Sequence, residues 1–114
     1  MSGEMIGNAM WAADANSTNV ALFQFAKGVT GDKVDRCGAG EAAIGIFTEV
    51  NGTTTPATVQ LGGVGKITLA GTLAAGAEVE SDASGHAVAL SSGKKCGTLL
   101  TGGVSGDICS IKLV

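Results

Sequence analysis

The chain of 114 residues contains no tyrosine, one tryptophan, one proline, one histidine and a single arginine, and only 15% of it is charged. Each scarcity excludes something. Arg36 and six scattered lysines stand against ten acids, for a net charge of −3. No basic stripe is present to displace counterions from phosphates, which excludes nucleic acid as a main partner. No apolar run approaches the ~20 residues of a membrane-spanning helix, so no membrane partner is expected. Met1-Ser2-Gly3-Glu4 has neither the basic nor the apolar region of a secretory signal. The cysteines Cys37, Cys96 and Cys109 are odd in number and lack C-x-x-C spacing, which fits reduced thiols in a protein made in the cytoplasm.

Glycine is the abundant residue, with 19 copies. Inside helices each would cost ~1 kcal/mol relative to Ala, which argues against a helical bundle. No G-X-Y period is present, which excludes collagen. At 45% hydrophobic the chain is too apolar for disorder. The expectation is one small, turn-rich, all-β domain.

The organisation follows from period-two alternation and glycine punctuation. Residues 1–19 read as an N-terminal arm or short helix. Met5, Ile6, Met10 and Trp11 are its apolar residues, and a polar run over 14–19 follows. Residues 20–114 read as a single β-barrel domain. Val20–Phe25 is expected to be its first strand, Gly28–Asp32 a turn, and Ala43–Thr48 a further strand. Val59/Leu61, Ile67/Leu69 and Cys109/Ile111/Leu113 each alternate with polar residues, so each set marks one buried face. Gly62-Gly63 is expected to be a hairpin turn, because Ile67 after Lys66 and a strand rather than a helix speak against a phosphate loop.

An internal echo runs through the barrel. Gly31-Asp32-Lys33-Val34 matches Gly85-His86-Ala87-Val88. Ile44-Gly45-Ile46-Phe47 matches Cys96-Gly97-Thr98-Leu99, and Val59-Gln60-Leu61 matches Ile111-Lys112-Leu113. The echo predicts two similar β units closing one barrel.

Catalytic chemistry finds little to work with. His86 is the sole candidate partner for a cysteine nucleophile. Cys96 and Cys109 read as core residues, and Cys37, beside Gly-Ala-Gly, as the cysteine nearest solvent. Glu78, Glu80 and Asp82 share a strand face that could attract a hard cation, but no D-x-D-x-D-G loop is present and a solvated face explains them better. No enzyme activity, cofactor or metal is expected.

Val59–Ile67, Ala74-Ala75-Gly76-Ala77, Asp82–Val88, Cys96-Gly97 and Ser105–Val114, taken in that order, resemble the capsid cement, or head decoration, proteins of tailed bacteriophages. The Gly31–Gly45 stretch fits as their early hairpin, and the resemblance covers roughly residues 20–114. It implies a small Gly-rich β-barrel or β-tulip on the outer surface of the virion, often a homotrimer at three-fold or quasi-three-fold sites, with the major capsid protein as partner. Met5, Ile6, Met10 and Trp11 are then the expected capsid-binding residues. Two other readings stay open. One is a biotinyl- or lipoyl-like carrier using Lys66, Lys94 or Lys95. The other is a β module of a tail fibre or adhesin, although a chain opening on Met1 is expected to be complete.

Overall fold

The computed structural model describes residues 10–16, 20–50 and 56–114, and Met5 and Ile6 lie outside them. All regular structure among the described residues is strand, as the glycine content predicts. Five strands form a closed barrel: β1 (Met10–Ala15), β2 (Phe25–Val29), β3 (Lys33–Arg36), β4 (Gly45–Glu49) and β5 (Pro56–Gln60), in the order β1-β3-β2-β4-β5. Five more form a second sheet: β6 (Val64–Thr68), β7 (Glu78–Ser81), β8 (Ala87–Ala89), β9 (Gly97–Leu99) and β10 (Ile108–Leu113), in the order β6-β10-β9-β7-β8. An isolated parallel bridge, Leu69 to Ala87, joins the two ends of this sheet.

The two units share one register. Shifting β1 by 54 positions, β2 and β3 by 53, and β4 and β5 by 52 carries the pairing of the first unit onto the second. Trp11–Val59 becomes Gly65–Ile111, Ala26–Arg36 becomes Val79–Ala89, and Ala26–Gly45 becomes Val79–Gly97. Phe47–Val59 becomes Leu99–Ile111, and the parallel pair Ala15–Val34 becomes the Leu69–Ala87 bridge. The echo in the sequence is therefore a structural repeat, with two refinements. Each unit curls on itself instead of the two closing a common barrel. The counterpart of Gly85 is Asp32, one residue from the match read in sequence, and both have positive φ, 78° and 61°.

Three expectations change. The barrel begins at Met10, not at residue 20, because Met10–Asp14 pair antiparallel with Gln60–Pro56, and Asp14 and Ala15 pair parallel with β3. The inward residues of β1 are Ala13 and Ala15, whose small side chains give little alternation contrast. Of the apolar run Val20–Phe25 only Phe25 enters a strand, β2, and the residues before it form a connection: Phe23 has φ 61°, donates its N–H to Phe47 O at 2.9 Å and accepts from Thr68 N at 3.0 Å. It thereby ties β4 of one unit to β6 of the other. Finally, Gly62-Gly63 links the units and is not a hairpin, because β6 pairs with β10 and not with β5.

Two core clusters result. Ala13, Ala15, Val34, Phe47, Ala57 and Val59 fill the first barrel, and Trp11 packs against them from one side. The second cluster takes Phe25, Cys37 and Ile46 from the first unit and packs them with Ile67, Leu69, Val79, Leu99 and Ile111 of the second. Fully burying a Phe or Ile side chain is worth about 1.5–3 kcal/mol, so three residues crossing the boundary hold the halves together strongly. Backbone bonds across the same boundary add to this: Phe25 N to Gly85 O at 2.7 Å, Gly40 N to Ser81 O at 2.8 Å, and Lys94 N to Gly40 O at 3.0 Å.

Candidate interaction surface

The cysteines sit in the core, not at a reactive site. Cys37 is fully buried, contrary to its expected exposure, because the loop after β3 folds inward and the thiol donates to Ala42 O at 3.5 Å. Cys96 and Cys109 are buried as expected. Burial, reinforced by the nearby Cys96 and Glu41, pushes the Cys37 thiol up to about 12, and burial also raises that of Cys96. A folded value above the unfolded one favours the neutral thiol. The corresponding stability is complete below pH ~9 and is lost as pH rises toward 12. Urea midpoints are therefore expected to hold steady from pH 7 to 8.5 and to fall above pH 9. A thiol reagent at pH 8 should label Cys37 and Cys96 only after denaturation. Rapid labelling of the folded chain would contradict this placement.

The carboxylates singled out in the sequence each have structural work. Glu78 pairs with Lys95 at 2.9 Å. Glu80 accepts from Ser91 N at 2.5 Å and Gly93 N at 3.1 Å, fixing the loop before β9. Asp82 accepts from Ser84 N and His86 N, closing the β7–β8 hairpin. His86 is half-buried beside this turn. Among the described residues no three His, Cys, Asp or Glu side chains converge as metal ligands would.

What the surface does offer is apolar. Met10 and Val64 are exposed at the starts of β1 and β6, and Ile44, Leu61 and Val114 are exposed at strand ends. Ile44, Leu61 and Val114 rim a shallow dimple that Ala43, Gly45, Cys96 and Leu113 complete. Its free space is about 20 Å³, room for a water molecule at most. Small-molecule sites take some 300–1,000 Å³, so the dimple suits contact with a surface better than capture of a ligand. Of the expected capsid-binding residues, Met10 is exposed, while Trp11 is half-buried against the barrel core.

Counterparts meet at this end of the molecule. Ile44 corresponds to Cys96 and Leu61 to Leu113, and all four line the dimple. Gly40 corresponds to Gly93, and the two touch backbone to backbone: a Cβ on Gly40 would lie 3.2 Å from the Gly93 Cα. The chain is thus built as a fused pair of five-stranded units. The residues of the dimple escaped sequence reading because they come from four separate strand ends.

No protein-family model matches the sequence, and no curated protein matches it. Among solved structures, the chain is similar to the N base of head fiber gp8.5 in bacteriophage phi29, with a TM-score of 0.78 at 12% identity, over 93% of this chain and 93% of that one. The likeness is one of fold.

Proposed function

We propose that the chain is a structural protein of a phage virion that binds the outer surface of the head and cements neighbouring copies of the major capsid protein. The observation that carries this reading is the fold similarity, over 93% of the chain, to the base of a phage head fiber. The order of turns and strands that resembles head decoration proteins agrees with it. So does the surface, where the exposed Ile44, Leu61 and Val114 gather around one dimple and the carboxylates and thiols are occupied in holding the fold. Met10 and the rim of Ile44, Leu61 and Val114 are the proposed contact residues, with Met5 and Ile6 directly upstream in the chain. The active form is a homotrimer at three-fold or quasi-three-fold sites.

A second reading is favoured by the neighbour being the base of a fiber: the domain attaches to the head and holds a projecting part. Both readings share attachment to the head. A carrier lysine at a hairpin tip is less well served, since Lys66 lies within β6 with its Nζ 3.1 Å from Ser110 Oγ, and Lys95 is paired with Glu78.

Purified protein mixed with expanded, undecorated heads is expected to bind and to raise the temperature at which the heads rupture. Light scattering is expected to give the mass of three chains, on the heads' own lattice if not free in solution. Absence of both binding and stabilisation would sink the proposal.

A further inference from the structure

Equivalent outward faces of the two units carry opposite charge. In the first unit, β1, β5 and β4 contain no lysine or arginine. Their charged residues are Asp14 and Glu49, both exposed, with exposed Ala12 and half-buried Thr58 side by side between them. In the second unit, the equivalent strands β6, β10 and β9 contain no acid. Their charged residues are Lys66 and Lys112, both exposed. They share an outward face because Lys66 lies opposite Ser110 and Lys112 opposite Val64. Among the described residues none of these four charges joins an ion pair. Lys66 reaches Ser110 Oγ at 3.1 Å, and Glu49 accepts from Thr58 Oγ1 at 3.2 Å. At the borders, Lys33 is the register partner of Asp14 without bridging to it, and Glu78, beyond Thr98, is occupied by Lys95. The lysine face is also apolar: Val64, Leu100 and Ile108 are each about half exposed, and Leu100 N bonds Ser110 O at 2.8 Å.

From this complementarity we infer that the chain binds a second copy of itself head to tail, the lysine face of one copy lying on the carboxylate face of the next. Two lysines without counter-ions fit a surface with two free carboxylates and no cation on the facing strands, and this chain carries that surface itself. Opposite charges across a contact steer association and fix its register. The contact is heterologous, because the two faces differ, and such contacts make rings where the rotation closes. The faces adjoin: Met10 pairs with Gln60, and Gln60 Nε2 donates to Val64 O at 2.8 Å. Faces that share a border, rather than lying on opposite sides, turn successive copies about an axis. This inference deepens the homotrimer of the proposed function and rests on it, giving that trimer an interface.

The test is the mass of the full chain by light scattering across the micromolar range, with binding to undecorated heads measured separately. The wild type is expected to have the mass of three chains. Two variants each set like charges against like: Lys66→Glu with Lys112→Glu, and Asp14→Lys with Glu49→Lys. Each is expected to weaken association by about 100-fold or more and to run as a single chain. The variant with all four reversals restores opposite charges and is expected to regain the mass of three chains. All four side chains are exposed, so thermal midpoints are expected to stay near the wild-type value. The neutral Lys66→Gln, Lys112→Gln, Asp14→Asn and Glu49→Gln replace any reversal that does not fold, and they too are expected to lower the mass. A reversed or neutralised pair that keeps the mass of three chains overturns the head-to-tail contact and leaves the homotrimer standing. So does a folded fourfold variant that stays a single chain. A wild type of one or two chains overturns the homotrimer and the contact with it. A wild type that forms three chains but does not bind heads overturns the head-protein reading and supports the contact.

Discussion

Removing residues 1–15 is expected to unfold the first barrel. The deletion takes away β1, and with it five antiparallel pairs to β5 and the parallel closure onto β3. It also strips Ala13 and Ala15 from the core, leaving Val34, Phe47, Ala57 and Val59 facing water on that side. A closed barrel has no edges, whereas the truncated one has two, β3 and β5, each with unpaired backbone groups. The loss is several kcal/mol, a large share of the ~5–15 kcal/mol that holds a domain of this size together. Because Phe25, Cys37 and Ile46 of the first unit are built into the second core, the damage spreads. The expected readout is loss of the cooperative urea transition and of most β circular dichroism. Deletion of residues 1–9 stops short of β1 and is expected to keep a single cooperative transition. Equal behaviour of the two deletions would show that β1 contributes nothing to closure. A truncation intended to test capsid binding must therefore end before Met10.

The second large effect concerns Gly45 and its counterpart Gly97. A Cβ on Gly45 would overlap the carbonyl of Gln60 and lie 2.8 Å from Val59 Cγ1. A Cβ on Gly97 would lie 2.6 Å from Lys112 O and 2.8 Å from Ile111 Cδ1. Gln60 and Lys112 are themselves counterparts, so each unit has the same close approach, β4 onto β5 and β9 onto β10. The obstacle is backbone, which cannot rotate aside as a side chain can. Overpacking commonly costs 1–3 kcal/mol and sometimes more, and the backbone clash puts Gly45→Ala at about 3 kcal/mol or above. For a domain near this size that is a drop of roughly 10 °C or more in Tm. Gly97→Ala is expected to follow it closely. Gly28→Ala is the control: it lies in β2 with nothing within 4 Å of its Cβ, and a reduced unfolded-state entropy makes it neutral or slightly stabilising. Similar Tm values for Gly45→Ala and Gly28→Ala would remove the close approach as an explanation for the glycine.

Much of the second unit is legible in sequence because its buried positions contrast with their neighbours. Ile67 and Leu69, and then Cys109, Ile111 and Leu113, alternate with polar or exposed residues and all turn inward. The first unit is harder. β1 buries alanines, which announce neither strand nor core. Val20–Phe25 is apolar enough for a strand, but Phe23 turns the backbone into the left-handed region to bridge the two units. Such a bridge depends on Thr68 and Phe47, both far away in sequence. Cys37 follows the same logic. Its glycine neighbours suggest exposure, whereas backbone bonds from Cys37 N to Phe25 O and from Gly40 N to Ser81 O hold the loop inward. The repeat itself is visible as a pattern, but whether two units close one barrel or two depends on which strand β6 chooses. That choice falls on β10, some forty residues later. At the candidate surface, Met10 stands out in the sequence, whereas Ile44, Leu61 and Val114 gain meaning only once folding gathers them around one dimple.

The shared second cluster also fixes when the molecule can finish folding. Phe25, Cys37 and Ile46 leave the ribosome well before their partners Leu99, Cys109 and Ile111. Until those partners emerge, the first barrel carries an apolar flank with nothing to lie against. Late, sequence-distant contacts of this kind slow folding and expose sticky surface in the interval. A nascent chain stalled before residue 96 is accordingly a species that a chaperone would hold.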